Sequence, residues 1–147
     1  MSTPLRIVIV FLLVLGNAIF VAAEYALVTA RRGRLEKWAE RRGGRGARTA
    51  LRLMDDPVRF ISTVQVGITV SAILLGAIGE PLISDLMEPP LSTTVSFLIA
   101  FAILTYLSVV LGELVPKAVA LQKAEPLAIA LAIPLDWLAR IAYPLVW

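Results

Sequence analysis

Three long uncharged stretches, separated by charged segments, constrain this chain more than any other feature of its sequence. They cover residues 7–23, 60–79 and 91–111. An α-helix rises about 1.5 Å per residue, so about 20 apolar residues cross the hydrocarbon core of a bilayer. The hydrophobic fraction of the whole chain is 59%, above the roughly 45–50% typical of soluble domains. The sequence therefore predicts an all-α integral membrane protein.

These stretches and the residues beside them predict three transmembrane helices and further helices outside the bilayer. Pro4 and Pro57 each follow a residue that suits an N-cap, which marks a helix start. The Glu80-Pro81 pair is expected to close the second span. The predicted segments are span 1 at about 4–30, a cytoplasmic helical loop at 31–56, span 2 at about 57–80, span 3 at about 91–116, and a juxtamembrane helix at about 126–147.

The last segment differs from the other three in its interruptions. Its apolar run is broken by prolines and by an acid–base pair at i,i+4 spacing, Asp136 and Arg140. Trp137 and Trp147 are typical of a membrane–water interface. The pattern predicts a kinked juxtamembrane helix on the cytoplasmic side rather than a fourth span.

Charge is divided unevenly between the two loops. Residues 31–59 contain ten of the fourteen Lys and Arg residues, whereas residues 80–90 contain Glu80, Asp85 and Glu88 and no base. By the positive-inside rule the basic loop is cytoplasmic, while the N-terminus and the acidic loop lie outside a plasma or inner membrane. Glycines are expected to break the basic loop into two helices; they are Gly43, Gly44 and Gly46.

A carboxylate, a proline and a lysine follow the third stretch directly, in the segment GELVPK at residues 112–117. Pro116 has no N–H, and its ring clashes with the carbonyl four residues earlier, that of Gly112. The freed carbonyl beside Glu113 would form an oxygen-rich pair of the kind that Mg²⁺ and Na⁺ prefer. The alternative is a helix that simply ends here, with Glu113 and Lys117 paired at i,i+4 spacing.

A second polar pair lies in the first span. Asn17 and Glu24 are seven residues apart, nearly two turns, so they share one helical face. A Glu within a span usually faces the bundle interior or a cavity. Glu24 and Glu113 are expected at similar depth, as ligands of one cation. The alternative for Glu24 is contact with headgroups or pairing with Arg31.

One face of the second span is lined by small and polar residues at spacings of three and four: Ser62, Gln65, Thr69, Ala72 and Gly76. Small and hydroxylated residues are typical of packed transmembrane helices. This stripe is therefore the candidate dimer interface. Gln65 and Thr69 also carry oxygens that could complete a cation site.

The composition argues against several classes of function. The chain has no His and no Cys, so it lacks the commonest general base, the commonest zinc ligand and any thiol chemistry. The sequence also shows no pairing of a nucleophile with a general base, so nothing in it indicates an enzyme. A basic loop between membrane spans is first a topology signal, so no nucleic-acid partner is expected.

Four segments resemble the transmembrane domain of the CorC/CNNM magnesium transporters, also called hemolysin-related proteins. They are residues 17–26 (NAIFVAAEYA), 34–36 (RLE), 55–69 (DDPVRFISTVQVGIT) and 112–120 (GELVPKAVA). The segment after the third span is the most specific of them, and the resemblance covers nearly the whole chain.

The resemblance implies a homodimer of three-span subunits that exports Mg²⁺ in exchange for Na⁺. Full-length members continue into cytoplasmic CBS domains, which bind nucleotide and which residues 1–147 do not include. The family's acid and freed carbonyl match Glu113 and Gly112. Other transporters carry a Ser and two Asn residues where this chain has side chains that cannot ligate a cation: Val21, Ile68 and Ala72.

The resemblance leaves three candidate functions. The first is transport of Mg²⁺, with Co²⁺ as a further candidate cargo. The second is a non-transporting membrane sensor or scaffold that regulates ion homeostasis, which would explain the missing Ser and Asn. The third, a pore-forming hemolysin, rests on nomenclature alone.

Overall fold

The computed structural model describes residues 2–87 and 89–146, and within these ranges it contains helices and no strand. Glu88 of the acidic loop and Trp147, predicted at the interface, lie outside the described residues. The helices are α1 (Thr3–Thr29), α2 (Arg32–Ala39), α3 (Arg45–Asp55), α4 (Pro57–Met87), α5 (Thr93–Val109), a π-helical segment (Val110–Leu114), α6 (Val115–Gln122) and α7 (Ala124–Val146).

Helices α1, α4 and α5 form the bundle, and α4 runs antiparallel to the other two. Arg6 pairs with Asp85 across 3.3 Å at one end of α1 and α4. Near the other end, the ring of Phe20 packs directly on Gly67, where a Cβ would lie within 2.6 Å of it. The side chain of Leu104 in α5 covers Gly79 in the same way. Glycines in α4 thus allow close approach by large side chains from both neighbours.

Helix α4 is longer than the predicted second span. It begins at Pro57, where the Asp56 carboxylate accepts the Arg59 N–H at 3.2 Å, so the predicted cap is confirmed. It continues through Pro81 to Met87 instead of closing at Glu80-Pro81. A proline inside a membrane helix is tolerated where neighbouring groups satisfy the carbonyl that it leaves unpaired.

The basic loop contains two helices, α2 and α3, as the glycines predict. Gly43 has a φ of 80° and turns the chain between them. Gly46 does not break the chain, contrary to the expectation: it lies inside α3, where a Cβ would meet the backbone oxygen of Ile129 at 2.6 Å. Its role is to bring α3 against α7.

The core lies at the end of the bundle that carries the basic loop. It is built largely from alanines of α1, α6 and α7, together with single large residues of the short helices, such as Leu35 and Leu53. Small side chains let helix backbones approach closely, which is how membrane helices pack without a hydrophobic driving force. The other faces of the bundle expose large apolar side chains, including Phe11, Ile73 and Phe101.

Helix α7 contacts the basic loop along its whole length. Glu125 Oε1 accepts from the Arg31 N–H at 3.2 Å, and Asp136 pairs with Arg52 at 3.0 Å. The Tyr143 ring lies 5.9 Å from the guanidinium of Arg59, which follows the loop in the first turn of α4. A helix of 23 residues is about 35 Å long. Both of its ends therefore lie beside the same, basic end of the bundle.

Among the residues that the structure describes, four helical segments are long and apolar enough to cross a membrane: Thr3–Thr29, Pro57–Met87, Thr93–Gln122 and Ala124–Leu145. The first three correspond to the predicted spans. The fourth is most of α7, which was predicted as a juxtamembrane helix, so length and composition give four candidates against the three expected. Pro134 and Pro144 lie inside α7 without ending it.

Candidate functional site

The site begins with a change of helical geometry at the end of the third span. The chain is α-helical to Val109, widens to a π-helix over Val110–Leu114, and returns to α-helix at Val115. The Val115 N–H donates to the carbonyl of Val110, five residues back. Pro116 supplies no N–H for the Gly112 carbonyl. A π-helical turn is rare and is frequently found at functional sites.

Asn17 of α1 binds the carbonyl that Pro116 leaves free. The amide nitrogen of Asn17 donates to the carbonyl oxygen of Gly112 at 3.0 Å, and both residues are buried. The sequence predicted that this carbonyl turns outward from its own helix, and in the structure it accepts a hydrogen bond from a side chain of another helix. Gly112 itself permits the contact, because a Cβ there would lie 2.8 Å from the Asn17 amide nitrogen.

The amide oxygen of Asn17 is buried and has no hydrogen-bond partner among the described residues. A buried polar atom without a partner costs free energy. It therefore marks a place where a donor or a cation would be favourable. Asn17 thus donates to one buried oxygen, that of Gly112, and carries a second buried oxygen without a partner among the described residues.

Glu113 points away from the bundle core and is paired with Lys117. Glu113 Oε1 lies 3.5 Å from Lys117 Nζ, and the two side chains are 51% and 29% exposed. The ammonium group also lies 4.7 Å from the ring centre of Tyr25 in α1, within the range of a cation–π contact. The simple i,i+4 pair and the freed Gly112 carbonyl, two interpretations that the sequence left open, are therefore both present.

The helix register places Glu24 nearer to the basic loop than Glu113. Asn17 is level with Gly112 and Tyr25 with Lys117, so Glu24 lies about one to two turns, roughly 5–10 Å, closer to the basic loop than Glu113. Glu24 is half-buried and makes no ion pair with Arg31 or any other described residue. The described residues contain no group of three or more His, Cys, Asp and Glu side chains that could hold a metal.

The remaining predicted residues lie on the outside of the single chain. Gln65 and Thr69 are exposed, as are Ala72 and Gly76 of the same stripe, while Ser62 is half-buried. The structure does not bring Gln65 or Thr69 into hydrogen-bonding contact with Glu113, Gly112 or Glu24 within the described ranges. Val21 of α1 is buried, and its side chain has no oxygen that could ligate a cation.

Tyr25 is the site residue that the sequence did not indicate. It follows Asn17 and Val21 at steps of four, on the face of α1 that meets the third span. That spacing was available in the sequence, but an aromatic residue near the end of a span is usually taken as an interface anchor. Only the position of Lys117 identifies Tyr25 as part of the site.

Comparison with known proteins gives consistent results. The family described as "CNNM: Cyclin M transmembrane N-terminal domain" matches residues 7–147. The UPF0053 protein YhdP of Bacillus subtilis is 37% identical over 97% of the chain, and the UPF0053 protein sll0260 of Synechocystis is 41% identical over 99%. A protein named polyamine export protein, of Haemophilus influenzae, is 31% identical over 92%.

The chain spans about a third of the length of these relatives: 34% of YhdP, 34% of sll0260 and 33% of the Haemophilus protein. The matches therefore concern the membrane region described above.

Proposed function

The chain belongs to the family of CNNM transmembrane domains, and we propose that it is the ion-conducting membrane unit of a divalent-cation exporter. The proposed cargo is Mg²⁺, with Co²⁺ as a second candidate and Na⁺ entry as the driving gradient. One observation carries the proposal: the π-helical segment frees the Gly112 carbonyl beside the Glu113 carboxylate, and Asn17 meets it from another helix.

This ligand set suits a partly hydrated Mg²⁺ ion. Mg²⁺ keeps several of its waters and is commonly held by one or two carboxylates. Here the chain offers the Glu113 carboxylate, the neighbouring Gly112 carbonyl, and the amide oxygen of Asn17, the side chain that donates to that carbonyl. Lys117 neutralises Glu113 when no ion is bound, so an arriving cation would replace the ammonium group at the carboxylate.

We propose three membrane spans, with α7 lying at the inner surface. The contacts of both ends of α7 with Arg31 and Arg59, which flank the α2 and α3 helices, support this arrangement, because a spanning helix would carry one end about 30 Å away. The proposed orientation places the N-terminus and residues 80–90 outside and residues 31–59 in the cytoplasm, by the positive-inside rule.

The active unit is proposed to be a homodimer that uses the exposed stripe of α4. Gln65 and Thr69 would be unfavourable against lipid, and both are exposed in the described part of the single chain. Nucleotide regulation is proposed only for the CBS domains of longer family members, outside residues 1–147.

The alternative is a membrane sensor or scaffold that binds a cation without moving it. Val21, Ile68 and Ala72 favour it, because they stand where transporting relatives offer oxygens. A second cargo, a polyamine, is suggested by the name of the Haemophilus relative. A site with a single carboxylate and few ligands would also accept an ammonium group, as the position of Lys117 illustrates.

Ion flux in sealed proteoliposomes tests the proposal. Vesicles containing the wild-type chain should move Mg²⁺ when a Na⁺ gradient is applied, as followed by a Mg²⁺-sensitive dye. Vesicles containing Glu113→Gln should not, whereas Arg42→Gln, at an exposed residue of the basic loop, should behave as wild type. Absence of Mg²⁺ movement with intact Mg²⁺ binding would favour the sensor, and movement of spermidine in place of Mg²⁺ would favour the polyamine.

A further inference from the structure

A groove of about 630 Å³ lies between α3 and α7, and none of its lining residues belongs to the candidate ion site. From α3 it is lined by Arg45, Arg48 and Arg52, which recur at steps of three and four on one helical face. All three arginines are exposed. The groove thus presents a row of guanidinium groups from one helix.

Helix α7 contributes a further guanidinium and the carboxylate that orients it. Asp136 is nearly buried, with its side chain 10% exposed, and its Oδ2 atom accepts from Arg52 and Arg140, each at a shortest distance of 3.0 Å. A guanidinium has five N–H donors. Both arginines are therefore held in place by Asp136 while most of their donors remain free for a ligand.

The other two arginines, Arg45 and Arg48, have fewer hydrogen-bond and ion-pair partners among the described residues. Arg48 donates to the carbonyl of Ala39 at 3.4 Å, and Arg45 makes no ion pair among the described residues. The groove is lined by four positively charged guanidinium groups and one carboxylate, which gives it a net charge of +3. Planar guanidinium groups bind phosphate oxygens in pairs of parallel hydrogen bonds, so an anion with several oxygens is the matching ligand.

The opposite part of the groove is apolar. Ile133, Trp137 and Ile141 of α7 line it, and the side chains of Trp137 and Ile141 are 66% and 64% exposed. Trp is enriched at the level of lipid headgroups. A free phosphate would use only the arginines, whereas a phospholipid would place its headgroup on them and its acyl chains along these residues.

We propose that this groove binds the phosphate headgroup of an anionic phospholipid. Basic pockets at the cytoplasmic level of membrane helices are a recognised setting for such headgroups. A lipid seated here would join α3 to α7 and fix the basic loop against the membrane surface.

The experiment measures binding of short-chain lipids to the purified chain in detergent, by native mass spectrometry with thermal unfolding as a second readout. The probes are dioctanoylphosphatidylglycerol, dioctanoylphosphatidylcholine and soluble glycerol 3-phosphate. The wild-type chain should bind the phosphatidylglycerol most tightly. Two charge-assisted hydrogen bonds contribute enough that the Arg45→Gln/Arg48→Gln variant should bind it about tenfold more weakly, or worse.

The matched control removes two charges from the same loop outside the groove, as Lys37→Gln/Arg42→Gln. It should change the affinity by about twofold or less, since exposed charges at a distance are screened. Trp137→Ala should weaken binding of the lipid but not of glycerol 3-phosphate. If the double groove variant does not fold, Arg45→Gln alone should still reduce the affinity several-fold, because this side chain supports no ion pair.

Three results would overturn the proposal. Equal loss of affinity in the groove and control variants would mean a diffuse attraction to the whole basic loop. Equal binding of phosphatidylcholine would remove the anionic specificity. Equally tight binding of glycerol 3-phosphate would assign the groove to a soluble phosphate and not to a lipid.

Discussion

The Asn17 amide nitrogen lies 3.0 Å from the Gly112 carbonyl oxygen, and this hydrogen bond joins the first span to the π-helical segment of the third. It is the one hydrogen bond between Asn17 and that segment. The bond matters because Pro116 cannot supply the intrahelical partner. The side chain of one helix thus replaces a backbone donor that another helix lacks.

Asn17→Leu should therefore destabilise the chain, since it keeps a similar volume but leaves the Gly112 carbonyl buried without a donor. The expected loss is about 1–3 kcal/mol. Unfolding in detergent, followed by circular dichroism, measures it. Gly16→Ala is the control, because no atom lies within 4 Å of the added Cβ. Equal stability of both variants and the wild type would show that the bond contributes nothing.

The contact between α3 and α7 gives a matched pair of glycine substitutions. Gly46→Ala should destabilise the chain by about 1–3 kcal/mol, because the Cβ would push α3 away from the Ile129 backbone at 2.6 Å. Gly33→Ala, in α2 with no atom within 4 Å, should be neutral or stabilise by up to about 1 kcal/mol through helix propensity. Thermal unfolding of both variants gives the sign of each change, and a stable Gly46→Ala would rule out the close packing.

The sequence predicted much of this architecture because its signals are strong and local. The uncharged stretches and the basic loop indicate membrane helices, and Pro116 indicates a freed carbonyl at Gly112 without any tertiary information. The partner of that carbonyl could not be predicted, since it depends on the rotation of α1 against the third span. For the same reason Tyr25 was missed, and Glu24 was expected nearer to Glu113 than the helix register places it.

Helix α7 illustrates a different limit. Its hydropathy is that of a membrane span. Its prolines and its charged pair favour a juxtamembrane helix, but they do not prove it. The contacts of Glu125, Asp136 and Tyr143 with the basic loop are long-range and need the fold. Gly46 is similar: a glycine beside Gly43 and Gly44 resembles a loop residue until Ile129 is found against it.

The membrane arrangement can be tested by labelling single cysteines, since the chain has none of its own. Arg42→Cys and Asp85→Cys should react with an impermeant maleimide from opposite sides of the membrane. Leu145→Cys, at a side chain that is 84% exposed, should react from the same side as Arg42→Cys if α7 lies at the inner surface. Reaction of Leu145→Cys from the Asp85 side would instead make α7 a fourth span.

The dimer interface can be tested at Gly76. No atom of residues 2–87 or 89–146 lies within 4 Å of a Cβ added there, so Gly76→Leu should leave the fold of the single chain intact. If the α4 stripe is the interface, the larger side chain should reduce the dimer fraction in light scattering of the detergent-solubilised protein. Gly16→Leu on α1 is the control. A dimer fraction that is unchanged in Gly76→Leu would place the interface on another face.

The central claim, a cation site at Gly112 and Glu113, is tested most directly by the thermal stabilisation that Mg²⁺ gives. A ligand that binds only the folded state stabilises it by RT ln(1 + [L]/Kd). Wild type should therefore unfold at a higher temperature in Mg²⁺, and Pro116→Ala should retain part of this gain because it keeps the carboxylate but returns the Gly112 carbonyl to the helix. Glu113→Gln should gain nothing. An equal gain for wild type and Glu113→Gln would contradict the claim and leave Glu113 and Lys117 as a surface ion pair.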